Sequence, residues 1–208
     1  LDRSSAASDV YKRQGMKSID GMPSVLSGIP MFIEPFFLTP SSLNTVSSIG
    51  GELGKKGYYT AFFHGADNGS MGFEAFARTA GYTHYFGRTE YNEANPDNKD
   101  FDGHWGIWDE KFFQFFGNTL SGFQQPFAAA LFSLSSHHPF AVPAEYEGVF
   151  PKGNKPIRQC IGYTDNALKL FFEKVSKEPW YKNTLFVFTA DHTNSPERPE
   201  YETESGLF

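Results

Sequence analysis

Three nearly unbroken apolar runs constrain the fold of this chain more than any other feature. Tyr58–Phe63 (Y-Y-T-A-F-F) follows Gly57, Phe127–Leu134 (F-A-A-A-L-F-S-L) follows Pro126, and Leu185–Ala190 (L-F-V-F-T-A) follows a turn-like Lys182 and Asn183. A run that is apolar along its whole length, rather than at every second position, suits a strand covered on both faces. The intervening stretches read as helices over Ile19–Ser27, Ser41–Lys55, Met71–Thr79, Trp108–Phe116 and Ile157–Lys177. The last carries Ile161, Leu168 and Phe172 near helical spacing and stops before Pro179. Strand runs alternating with helices predict an α/β fold with a mostly parallel central sheet flanked by helices. The segment Arg88–Gly103, with Glu90, Glu93, Asp97, Asp100 and Asp102, reads as a long acidic loop of the functional or mobile kind.

Composition sets the outer limits. With 208 residues, 39% hydrophobic and 17% aromatic, the chain can fill one core and fits one domain. Its formal charge of -6 leaves no basic stripe for a phosphate backbone, so nucleic acid is not expected as a partner. The single cysteine, Cys160, excludes an internal disulfide and a cysteine-built metal cluster. No run reaches the roughly 20 apolar residues of a membrane helix. Residues 1–14 lack either periodicity and resemble translated adapter sequence from a contig end, so the folding unit is read as residues 15–208.

Chemistry-bearing residues gather where the runs end. Asp191 and His192 directly follow Leu185–Ala190, and open α/β sheets bind ligands beyond the carboxyl ends of their strands. A carboxylate beside an imidazole suits Zn or Mn better than Mg, which prefers an all-oxygen shell. The alternative is a capping Asp191 and a merely exposed His192. His137 and His138, in S-S-H-H-P-F, follow the second run, either as ligands or as hydrogen-bond donors to backbone. His64, in F-F-H-G-A-D-N, follows the first. Ser18 stands where it could cap a helix beginning at Ile19, or where helix N–H groups would favour an anion around a nucleophilic hydroxyl.

In this order the segments resemble the phosphoglycerol and phosphoethanolamine transferases of the alkaline phosphatase/sulfatase superfamily, in particular its lipoteichoic acid synthase-like branch. G-M-K-S-I-D-G-M-P matches the nucleophile motif G-x-x-[T/S]-x-x-x-x-P and places Ser18 at the nucleophile, with serine for the commoner threonine. The Asp-His metal pair falls on Asp191 and His192, the substrate or metal histidine of N-H-x-P on His137, and F-H-x-D-N on Phe63, His64, Asp67 and Asn68 with one extra residue. Trp105–Phe113 (W-G-I-W-D-E-K-F-F) resembles the family's W-G-x-x-D-x-x-F. The resemblance implies that Ser18, Asp191 and His192 hold a divalent metal, Mn or Zn ahead of Mg, and that His137 and His64 bind substrate. It implies a phospholipid donor, an envelope glycan or lipid acceptor, and a phospho-Ser18 intermediate. Where synthases of this branch carry a Trp and an Arg against glycerol phosphate, this chain has Gly72, Phe73 and Glu74, and the glutamate disfavours a second phosphate or favours a cationic head group.

The resemblance further implies an acidic metal ligand upstream of Gly15 and a histidine downstream of Phe208, with membrane helices anchoring the catalytic domain outside the cell membrane. The 208 residues alone are therefore expected to be catalytically silent. Two other readings stay open. One is a phosphodiesterase or sulfuric ester hydrolase of the same superfamily, although the sulfatase signature C/S-x-P-x-R is missing, since Asp20 and Met22 occupy its Pro and Arg positions. The other is a noncatalytic envelope protein.

Overall fold

The computed structural model describes residues 17–31, 34–97 and 99–192. The leader assigned to residues 1–14 lies outside them. The core is a three-stranded parallel sheet of order β2-β1-β3, made of β1 (Tyr59–His64), β2 (His84–Phe86) and β3 (Phe127–Phe132). β1 and β3 run in register from Tyr59 opposite Phe127 to His64 opposite Phe132, so both carry their next residues to the same carboxyl edge. Gly57, at φ +86°, provides the left-handed turn that admits the chain to β1.

Both faces of β1 are covered, as its unbroken apolar run requires. Phe62 joins one cluster with Met22, Phe73, Phe76 and Tyr82, under α1 (Ser18–Ser27), α2 (Ile49–Gly54) and α3 (Phe73–Thr79). Ala61 and Phe63 join another with Tyr91, Ile107 and Phe112, from α4 (Arg88–Ala94) and the start of α5 (Asp109–Ser121). Alongside, α5 packs on α6 (Ile157–Val175) through Phe113, Leu120, Ala167, Phe171 and Val175. Gly117 permits that approach, because a Cβ there would stand 3.0 Å from Val175 Cγ1.

Several expectations need correction. The run Leu185–Ala190 forms no paired strand among the described residues: 184–190 carry no ladder, with Leu185 87%, Val187 77% and Phe188 64% exposed. Only Phe186 and Phe188 turn rings toward Phe172 of α6. Apolar character alone does not make a strand; a neighbouring backbone must supply the ladder, and none of the described residues does. The helix expected over Ser41–Lys55 divides into a 3-10 turn, Pro40–Leu43, and α2, which Ser48 starts by accepting a hydrogen bond from Gly51 N at 3.0 Å. The acidic loop begins as α4, held at its start by Glu90, which accepts from Gly87 N at 2.6 Å. The buried stripe of α6 is Cys160, Tyr163, Ala167, Phe171 and Val175, whereas Ile161 is 55% exposed.

Candidate active site

Helix α1 starts at Ser18 itself, with Lys17 in the capping position and no side-chain cap. Ser18 is thus not the cap of a helix beginning at Ile19, and its hydroxyl turns elsewhere, lying 3.4 Å from His192 Nε2. Asp191 Oδ2 lies 3.4 Å from the same nitrogen. The chain reaches this position because residue 191 crosses directly over α1 at Gly21, where a Cβ would come within 2.7 Å of Asp191 Cβ. Any larger side chain at Gly21 would push the pair away from Ser18.

Two oxygens and one imidazole nitrogen therefore converge from residues far apart in sequence. Adjacent donors of a tetrahedral shell with bonds of about 2.1 Å stand about 3.4 Å apart, and the Ser18–His192 and Asp191–His192 separations each match that figure. Among the described residues, no group of three or more His, Cys, Asp or Glu side chains is placed to hold a metal. The set reaches three donors only when the Ser18 hydroxyl is included.

The other two histidines leave the sheet at its carboxyl edge, but in different environments. His64 ends β1 and is fully buried between Phe73 and Phe132. Its Nδ1 donates to the Phe132 carbonyl at 3.1 Å, and its Nε2 has no hydrogen-bond partner among the described residues. Burial holds its pKa down to about 4, against the opposing pull of that carbonyl, so the ring is neutral with Nε2 as an acceptor. His137 follows β3 in a turn closed by its own N–H to Leu134 O at 3.0 Å. Its Nδ1 lies 2.9 Å from the His138 carbonyl, and its ring meets Trp105 edge-on at 4.5 Å between centroids.

What holds that turn is a residue from a distant segment. Asp109, in the first turn of α5 and 2% exposed, accepts from Leu134 N at 2.8 Å, Ser135 N at 3.1 Å and Thr164 Oγ1 at 3.0 Å. Burial pushes its carboxyl above the ordinary carboxylate value, and the same hydrogen bonds oppose that shift. The only available signal was its place in the Trp105–Phe113 tract. Asp67 and Asn68 serve the start of α4: Asp67 pairs with Arg88 at 2.9 Å, and Asn68 donates to Glu90 at 3.1 Å.

Comparison with known proteins defines the class. The sulfatase family profile matches residues 8–206, and the chain belongs to that family. A protein of the alkaline phosphatase superfamily from Vibrio parahaemolyticus shares the fold over 82% of this chain and 41% of its own, at TM-score 0.70 and 24% identity. The lipoteichoic acid synthase LtaP from Listeria monocytogenes does so over 95% of this chain and 52% of its own, at TM-score 0.75 and 21% identity.

Among curated relatives, lipoteichoic acid synthase 2 of Bacillus subtilis (strain 168) is 28% identical over 72% of this chain and 23% of its own length. Phosphoglycerol transferase I of Escherichia coli (strain SMS-3-5 / SECEC) is 27% identical over 84% of this chain and 24% of its own. The chain thus spans about a quarter of the length of such relatives. Among the described residues no helix is long and apolar enough to cross a membrane.

Proposed function

We propose that this domain transfers a phospho-head group, phosphoglycerol or phosphoethanolamine, from a phospholipid to an envelope glycan or lipid through a phospho-Ser18 intermediate. The observation that carries the reading is the convergence of Ser18 Oγ and Asp191 Oδ2 on His192 Nε2, each at 3.4 Å. The family and the named relatives support an enzyme acting on such groups. The family name does not extend the reading to sulfate esters, because Asp20 and Met22 stand where a sulfatase carries Pro and Arg.

Ser18, Asp191 and His192 would hold a divalent cation, which supplies Lewis-acid polarisation of the phosphoryl oxygens and favours the serine alkoxide. In the first half-reaction Ser18 Oγ forms a bond to phosphorus as the bond to the lipid oxygen breaks, and the proton lost by serine matches the one gained by the departing alcohol. In the second, an acceptor hydroxyl attacks the same phosphorus and Ser18 leaves with a proton. His137 can steady a nonbridging or leaving oxygen, whereas His64, enclosed between Phe73 and Phe132, is closed off from a head group and instead holds the end of β3 through the Phe132 carbonyl. Glu74, which stands in place of an arginine, is paired with Arg78 at 2.8 Å, so its charge is already matched and both head groups stay within the proposal. In the intact protein the domain would face the outside of the cell membrane.

The test is Ser18→Ala in the intact gene product, which should lower kcat with a phospholipid donor at least about 10³-fold. The same variant should abolish the head-group mass adduct on the Ser18 peptide, while Asp191→Ala should reduce bound Mn or Zn in elemental analysis. Substantial turnover by Ser18→Ala would sink the covalent route. Release of free head group with no glycan product would assign the site to hydrolysis instead.

A further inference from the structure

Trp105 stands where three segments meet, and none of the roles assigned above uses it. Its indole Nε1 donates to the His138 carbonyl at 2.6 Å, while its ring lies edge-on to His137 at 4.5 Å between centroids. Its own backbone is fixed: Asp102 Oδ1 accepts from His104 N at 2.8 Å, Trp105 N at 2.8 Å and Gly106 N at 3.0 Å. The next residue ties this loop to the end of β1, through Ile107 N to Gly65 O at 2.9 Å. The Trp105 ring is thus delivered to the His137 turn from a rigid base.

The His138 carbonyl takes Trp105 Nε1 and His137 Nδ1 together, which fills the two lone pairs of a carbonyl oxygen. With Nδ1 committed as donor, the remaining His137 nitrogen, Nε2, is the one left to meet a ligand. Trp105 is 41% exposed, so burial gives little reason for so large a ring here. Its specific contacts are with the histidine turn.

We infer that Trp105 is a positioning residue for His137, its indole N–H and ring together fixing the imidazole with Nδ1 toward the His138 carbonyl and Nε2 toward the transferred group. The inference rests on the substrate role proposed for His137. It assigns Trp105 no contact with the reacting atoms.

The experiment uses the intact gene product with Trp105→Ala, Trp105→Phe, His137→Ala and the double variant Trp105→Ala with His137→Ala. Displacing a group by about 1 Å can cost about 10²-fold in rate. Trp105→Ala should therefore lower kcat about that far with little change in KM, and Trp105→Phe, which keeps a ring but not the donor, should fall between it and wild type. The double variant should be no slower than His137→Ala alone, because Trp105 acts only through that ring. In selectively 15N-histidine-labelled protein, the His137 signals should report a fixed Nδ1–H tautomer in wild type and an averaged one in Trp105→Ala.

Full additivity in the double variant would overturn the inference, as would unmoved His137 signals in Trp105→Ala. If the wild type shows no Ser18-dependent turnover, the functional reading fails on its own account. The tautomer measurement then still decides whether Trp105 sets the His137 ring.

Discussion

The two chain segments that carry the candidate ligands out of the core are held very differently. The segment after β3 leaves a paired strand and is pinned at once: Asp109 takes both the Leu134 and Ser135 N–H groups, and Trp105 holds the His138 carbonyl. The segment reaching Asp191 and His192 leaves an unladdered run whose Leu185 and Val187 are 87% and 77% exposed, and it rests on α1 over Gly21. One arm is set by buried hydrogen bonds. The other leans on Phe172 through Phe186 and Phe188, approaches α1 at Gly21, and brings two oxygens to 3.4 Å from a single nitrogen. The difference implies that the β3 arm keeps its geometry without a ligand, while the Asp191 arm gains order from whatever cation its donors share.

Asp109→Ala is the most damaging way to break this contrast. It would strand two backbone N–H groups and the Thr164 hydroxyl in a buried position, each costing about 1–3 kcal/mol when unsatisfied. A stability loss of roughly 4 kcal/mol in chemical denaturation is expected, against about 1 kcal/mol for Thr164→Val. A loss below about 1 kcal/mol for Asp109→Ala would show that the β3 arm is not pinned as the structure suggests.

These two arms also mark how far the sequence could be read. The strands β1 and β3 were legible because a parallel strand covered on both faces must be apolar throughout, which is a local signal. The grouping of Ser18, Asp191 and His192 was legible from motif order, although the strand expected to deliver Asp191 is not formed. The helix α4 was hidden inside an acidic stretch, since its start depends on Glu90 and on Asn68 from another segment. The stripe of α6 was displaced by one residue because Tyr163 and Ala167, rather than Ile161, face α5. Asp109 could not be recognised as a brace, because its partners come from β3 and α6 and no local pattern links them.

His64 gives a pH test of the pinned side. Its pKa is lowered from 6.5 to about 4 by burial, so between those values the unfolded chain binds a proton that the folded chain refuses. Stability is therefore fully present above about pH 6.5 and falls as pH drops toward 4, by roughly 3 kcal/mol at about 1.4 kcal/mol per unit. The stability difference between wild type and His64→Gln, followed by denaturation across that range, should carry this slope, since other groups cancel. A difference that stays flat with pH would mean that His64 is protonated or solvated in the folded protein.

The smallest expected effect belongs to the exposed run, and it is the most direct test of the contrast. Val187→Thr changes a side chain in a residue 77% exposed, and substitutions at such positions usually shift stability by no more than about 0.5 kcal/mol. Leu131→Ala, in the corresponding run of β3, removes side-chain volume from between two packed clusters and should cost about 2 kcal/mol, the low end for a core leucine because Leu131 is only partly buried. Similar sequence character would then have two energetic meanings, set by whether a neighbouring strand is present. Both variants can be read by urea denaturation of the same preparation, where a shared m-value keeps the comparison on one scale. If Val187→Thr cost more than about 1 kcal/mol, some other element would have to cover the run in the intact protein, and the Asp191 arm would be as firmly held as the β3 arm.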